Sequence, residues 1–193
     1  GVVVITTKKG KAGQSRISAS AYSGITSPTK MLPVLNAKQY QDYANELRGA
    51  GTISDSLIQA NNIDWPKEIF GHGNQQNYQL SISGGSEKTQ HYISFNYLDQ
   101  TGMIKPAKYD RFTGRVNLTT KVNDWLTLTT SNLLSRSQTN GLDDNLSVAR
   151  GGVVLSALET PPTVLKFNPD GTIGYNPYGN NWENPYGAIL GRY

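Results

Sequence analysis

The stretch that decides the fold is residues 77–102, NYQLSISGGSEKTQHYISFNYLDQTG. Tyr78, Leu80 and Ile82 alternate with Gln79, Ser81 and Ser83, and Ile93, Phe95 and Tyr97 alternate with Tyr92, Ser94 and Asn96. A period of two over this length predicts β-strands with one apolar and one polar face. Gly84-Gly85-Ser86-Glu87-Lys88 between them predicts a turn, and the pair reads as a hairpin.

The same pattern continues downstream. In YDRFTGRVNLTTKVN, Phe112, Val116, Leu118 and Val122 oppose Thr113, Arg115, Asn117, Thr119 and Lys121. After an Asn123-Asp124 turn, Leu126, Leu128 and Thr130 oppose Thr127, Thr129 and Ser131. Upstream, Ile17, Ala19 and Ala21 oppose Ser18, Ser20 and Tyr22 in residues 15–26. Val2–Thr7 differs: it is a continuous β-branched run, as expected of a strand buried on both faces. KKGKAG, residues 8–13, separates the two strand types and is a candidate domain boundary.

Two stretches interrupt the strands. Residues 27–74 form a long excursion. Asn36 is placed to cap a helix carrying Tyr40, Tyr43, Ala44 and Leu47 and stopped by Gly49 or Gly51, and Asp64 is placed to cap a short helical turn through Phe70. The last 55 or so residues begin with Asp143-Asp144-Asn145, which could cap a helix from Leu146 to Leu158. Gly151-Gly152 weakens that helix, Pro161-Pro162 ends it, and a loop rich in Asn, Pro, Gly and aromatics follows.

Composition narrows the class. Of 193 residues, 36% are hydrophobic and 17% charged, with 20 Gly, 11 Tyr and no Cys. Such a chain is poor in core formers and in charge, against roughly 25% charged residues in a typical domain. The net charge of +4 comes without the basic, aromatic-interleaved face that nucleic acid requires. Absence of cysteine excludes disulfides and thiolate metal sites. No run of about 18 apolar residues predicts a membrane-crossing helix. Alternating strands evade that criterion: a transmembrane β-barrel wall, apolar outward and polar inward, fits, with Tyr78, Tyr92, Tyr97, Tyr109 and Trp125 near strand ends as an aromatic girdle. A sheet with one face on a soluble core produces the same alternation.

The opening GVVVITTKKGKAGQ resembles the end of the plug domain in SusC/RagA-type TonB-dependent outer-membrane transporters, where a GVVxITTKKGK strand hands over to the first barrel strand. The run from Asp64-Trp65 through NYQLSISGG, the YISFNYLDQTG hairpin, YDRFTGRVNL and Asp124-Trp125-Leu126 is similar to that family in the same order. ALETPPT and NPDGT resemble its region near the first large extracellular loop, less specifically. The resemblance implies a mainly all-β fragment: residues 1–13 as the end of a plug and its linker, and residues 14–193 as the N-terminal wall of an antiparallel up-and-down transmembrane β-barrel, with short helices in its loops, incomplete alone. It also implies import of oligosaccharides or oligopeptides across a Gram-negative outer membrane. A SusD-like lipoprotein would cap the pore, TonB would act through an upstream region, and lipid would surround the wall. The rival reading is a soluble or surface β-rich glycan-binding or adhesion domain, which must cover the apolar sheet face with a second layer.

No residue constellation predicts catalysis, a cofactor or a metal site. His72 and His91 stand apart from any carboxylate at catalytic or metal spacing. Asp170-Gly171 reads as a hairpin turn, since FNPDGTIGY lacks the downstream ligands of a calcium loop. Gly84-Gly85-Ser86 has no following helix with which to bind phosphate. The candidate ligand contacts are Tyr175, Tyr178, Asn181, Trp182 and Tyr186, because aromatic faces stack on sugars and amides hydrogen-bond to hydroxyls. The same residues could instead pack on a partner or fill a barrel mouth.

Overall fold

A computed structural model describes residues 1–3, 8, 10–104, 106–141, 152–174 and 184–190. The expected Val2–Thr7 strand and the Asp143/Asp144 cap fall largely outside them. The chain divides into two compact units. The first comprises residues 1–25, 74–101 and 108–139; the second comprises residues 26–73, 102–107 and 140–193.

The first unit is a sheet in which sequence neighbours are spatial neighbours. Strands β1 (Gly13–Thr26), β2 (Gly73–Gly85), β3 (Thr89–Thr101), β4 (Lys108–Lys121) and β5 (Thr127–Asn140) lie in the order β1-β2-β3-β4-β5. β2 and β3 are antiparallel with Tyr78 opposite Tyr97, Leu80 opposite Phe95 and Ile82 opposite Ile93. β3 and β4 are antiparallel with Ile93 opposite Val116 and Tyr97 opposite Phe112. The β2–β3 turn closes through the Ser86 amide donating to the Thr89 carbonyl at 2.7 Å. Gly84 is required where β1 crowds in, since a Cβ there would sit 2.8 Å from Ser15 Cα.

The expectation of a transmembrane β-barrel wall is overturned. The sheet is open: β1 and β5 occupy its two edges and do not pair with each other. Alternation along a strand reports a two-faced sheet, whereas closure requires the first and last strands to meet, at a tilt and stagger no single strand encodes. The second unit carries all five helices found among the described residues. No helix among them is long and apolar enough to cross a membrane.

In the second unit, α1 (Ala37–Arg48) starts at Asn36, whose Oδ1 accepts from the Gln39 amide while Gln39 Oε1 accepts from the Asn36 amide. This reciprocal capping satisfies two donors that the helix end would otherwise leave bare. α1 buries Ala37, Gln41 and Ala44, leaving Tyr43 and Leu47 exposed. Gln41 explains the rotation: its amide donates to the Ile53 carbonyl and to Asp55 Oδ1, tying α1 to the start of α2 (Asp55–Ala60). α3 (Trp65–Ile69) is capped by Asp64 as expected. α4 (Gly152–Glu159) begins at Gly152, φ +68°, and α5 (Pro185–Leu190) follows Asn184.

Trp65, Ile69, Val153, Ala157 and Val164 form the core of this unit, with Ile63, Phe70, Ile104, Tyr186 and Ile189 packed around them. The Trp65 indole donates to the Pro161 carbonyl at 3.1 Å, and the Ile63 amide donates to the Pro162 carbonyl at 2.9 Å. Trp65 is 1% exposed. Trp65→Ala removes the largest side chain of this core and the indole hydrogen bond to the Pro161 carbonyl, which keeps its second donor, the Val164 amide. A loss of about 3–5 kcal/mol is expected, read as a lower denaturation midpoint for the second unit in the whole protein.

Candidate functional site

The sheet presents two chemically different surfaces. On one, Tyr78, Leu80, Phe95, Tyr97, Phe112, Val116 and Leu118 are each between 36% and 49% exposed. Phe95 and Phe112 stack with centroids 6.3 Å apart. Ala19 and Ala21 join Tyr78, Leu80 and Phe95 around a shallow recess of about 570 Å³. Among the described residues of its own unit no layer covers this apolar face, which is the arrangement the rival soluble domain had to avoid.

The opposite surface is polar yet better covered, because the segment before β1 lies on it. Lys8 and Gly10 reach β3 and β4: Asn117 Nδ2 donates to the Lys8 carbonyl at 2.7 Å, and Ser131 Oγ donates to Asn117 Oδ1 at 2.8 Å. Asn117 and Tyr92 are buried. Gly10 permits the contact, since any Cβ there would collide with the His91 backbone. Lys8, Lys11 and Arg16 ring a recess of about 670 Å³ floored by Ser81, Ser83 and Tyr92. None of the three cations has an ion-pair partner among the described residues, so the recess is electropositive.

The expected ligand residues divide. Tyr175, Tyr178, Asn181 and Trp182 lie outside the described residues. Tyr186 packs edge-on against Trp65 at 6.4 Å and Phe167 at 5.5 Å, with Lys166 Nζ 5.7 Å from its ring centre. Lys166 also pairs with Glu68. Tyr186 is therefore a packing residue of the second unit. Asn184, grouped with the aromatics by composition, is structural as well: its Nδ2 lies 2.9 Å from the Leu165 and Gly174 carbonyls, and its Oδ1 accepts from the Tyr186 amide at 3.0 Å.

Phe167 bridges Ile173 around the Asp170-Gly171 turn, with Gly171 at φ +82°. The hydroxyl and the amide of Thr172 both donate to Asp170 Oδ1, which holds the carboxyl below its ordinary range. The His72 ring Nδ1 lies 2.8 Å from Ser27 Oγ, and His91 sits in β3 opposite Leu118. No group of three metal-ligating side chains occurs among the described residues.

Sequence reasoning missed a recess of about 480 Å³ in the second unit, walled by Leu32, Leu35, Tyr40, Tyr43, Trp65 and the Leu158–Pro162 segment. Its walls come from three stretches remote in sequence, residues 32–43, 63–65 and 158–162. The signals available were the Pro-rich approach to α1 and the Glu159-Thr160-Pro161-Pro162 run.

No protein-family model matches the chain. Among curated proteins, TonB-dependent receptor SusC of Bacteroides thetaiotaomicron is 35% identical over 119 residues, covering 61% of this chain and 12% of that protein. TonB-dependent receptors P26 and P3 of Formosa agariphila are 33% and 28% identical, each match covering 89% of this chain and 17% of the relative. The chain thus spans less than a fifth of the relatives it matches. Among solved structures, the RagAB peptide transporter matches with a TM-score of 0.73 at 24% identity, over 94% of this chain and 25% of that one. The closed-closed state of the RagAB peptide importer gives 0.67 over 93% and 24%. The chain is homologous, at superfamily level, to SusC/RagA-type TonB-dependent transporters.

Two outcomes follow from the geometry. Asn117→Ala should free the Lys8 carbonyl at a cost of about 1 kcal/mol, read as several-fold faster tryptic cleavage at Lys8 or Lys11 in the whole protein. The Asp170 turn should be indifferent to pH above the ordinary carboxylate range. A carboxyl depressed by native hydrogen bonds stabilises the fold above its unfolded pKa, and that stabilisation is lost as pH falls through its lower folded pKa. The protection of the Thr172 amide against exchange, taken relative to the unfolded-chain rate at each pH, should therefore fall only in acid, and Asp170→Asn should remove the inflection.

Proposed function

We propose that the chain is part of a TonB-dependent active importer of the outer membrane, taking up oligosaccharides or other oligomeric nutrients together with a SusD-like surface lipoprotein. The observation that carries this reading is homology to TonB-dependent receptors along 89% of the chain. The residues described here do no covalent chemistry in this reading. Residues 1–13 are the end of a plug that hands over to β1, and the Asn117–Lys8 contact holds that handover against the polar face. The printed titles of the structural neighbours speak of peptides, so oligopeptide cargo stands beside oligosaccharide. Cargo contact is proposed for Tyr175, Tyr178, Asn181 and Trp182, with Tyr186 supporting them from the core it packs into.

Uptake of labelled oligomers by the native host tests the proposal. Deleting the gene for the whole protein should abolish uptake of one class of oligomer, oligosaccharide or oligopeptide, while the corresponding monomer still enters. Collapsing the proton-motive force should have the same effect as the deletion. The protein should fractionate with the outer membrane and bring down a lipoprotein. Recovery of the whole protein from the aqueous fraction, or unchanged uptake of every oligomer class, would sink the reading.

A further inference from the structure

We propose that Asn140–Gly141, where β5 ends, is a modification site: the asparagine deamidates spontaneously, leaving aspartate or isoaspartate at position 140. The inference goes beyond the importer reading and does not depend on it.

The first observation is an unprotected pair. Asn140 is the one asparagine in the chain followed by glycine. Glycine matters because its nitrogen must swing onto the asparagine side chain, and a residue without a Cβ meets the least obstruction. Both residues are exposed, and the Asn140 side chain makes no hydrogen bond among the described residues. Asn140 is the last residue of β5, an edge strand. The rotation required, about the bond from Asn140 Cα to its carbonyl, moves the chain beyond the strand and leaves the preceding residues in place. Strand ends open at little cost in free energy.

The step balances with water alone. The Gly141 backbone nitrogen gives up its proton to hydroxide and attacks Asn140 Cγ. A carbon–nitrogen bond forms, the bond from Cγ to the side-chain nitrogen breaks, and that nitrogen takes a proton from water and leaves as ammonia. Solvent water then opens the five-membered imide at either carbonyl. One opening gives aspartate; the other gives isoaspartate, whose backbone runs through the side chain and is one carbon longer. Both add a negative charge at the end of β5.

The second observation is a protected counterpart. Asp170–Gly171 is the one Asp-Gly pair in the chain, equally exposed and open to the same ring closure. Here the structure opposes it. The Thr172 amide and hydroxyl donate to Asp170 Oδ1 at 2.9 and 2.6 Å, which favours the ionised carboxylate, and ring closure needs the protonated carboxyl in order to expel water. The Gly171 amide donates to the Asn168 carbonyl at 2.9 Å, which holds the proton the attacking nitrogen must lose. The Asn140 side chain has no such restraint among the described residues.

The whole protein, held folded at neutral pH and physiological temperature and digested with trypsin at intervals, tests this. Peptide 137–150 should gain one mass unit at a rate within several-fold of the same synthetic peptide, and should become a substrate for an isoaspartyl methyltransferase. The gain should quicken as pH rises, because the attacking nitrogen must be deprotonated. Gly141→Ala should slow it several-fold, and Asn140→Gln, which needs a larger ring, should remove it. Peptide 167–192 should accumulate isoaspartate many-fold more slowly than its synthetic counterpart, and Thr172→Ala should narrow that gap. No gain in peptide 137–150 while the synthetic peptide converts, a gain that survives Asn140→Gln, or isoaspartate at Asp170 forming as fast as in the free peptide would each overturn the proposal. All the substituted positions are exposed, and the comparison of wild-type protein with synthetic peptide stands without them.

Discussion

The constraint on which the sheet depends is the register between β2 and β3. Because side chains alternate with a period of two, a slip of one residue would carry Leu80 and Ile82 to the face of Tyr92 and Asn96. Gly84-Gly85 and the tight Ser86–Thr89 closure set that register locally. β4 then inherits it through Ile93–Val116 and Tyr97–Phe112. Three strands in one register give a continuous apolar face. The segment before β1 lies on the opposite surface, where the polar side chains can hydrogen-bond with it.

This division of labour explains an inversion of the usual burial rule. Leu80 and Phe95 are more exposed than Asn117 or Tyr92. Asn117 can be buried because both ends of its amide are used, by Lys8 and Ser131, so its desolvation is compensated. An apolar side chain has no comparable way to recruit the linker. The polar face therefore acquires its own covering strand of chain, while the apolar face keeps its exposed aromatics.

How much of this was legible depended on how local each feature is. The strands announced themselves because alternation is written in consecutive residues, as in Tyr78-Gln79-Leu80-Ser81. Asn36 and Asp64 were legible for the same reason: a cap acts three residues away. Closure was not legible, since it depends on whether β1 meets β5, over a hundred residues apart, and the alternation that suggested a barrel wall arises in any two-faced sheet. The buried face of α1 was not legible, because Gln41, a polar residue, takes the buried position by bonding to Ile53 and Asp55. α5 was read as loop because Asn, Pro and Gly surround it, although Asn184-Pro185 is itself a helix-start signal. The recess was invisible because Leu32, Tyr40, Trp65 and Pro161 meet only in three dimensions.

The two prolines that end α4 do more than stop it. Pro161 and Pro162 have carbonyls and no amide hydrogens, so this segment can only accept. Trp65 and Ile63 supply the donors, and two hydrogen bonds fasten α3 and its approach to the end of α4. The same fastening fixes the end of α4, which closes at Glu159, two residues before the accepting pair. Glu159 Oε2 and the Thr163 hydroxyl, on either side of the prolines, are both buried without a hydrogen-bond partner among the described residues.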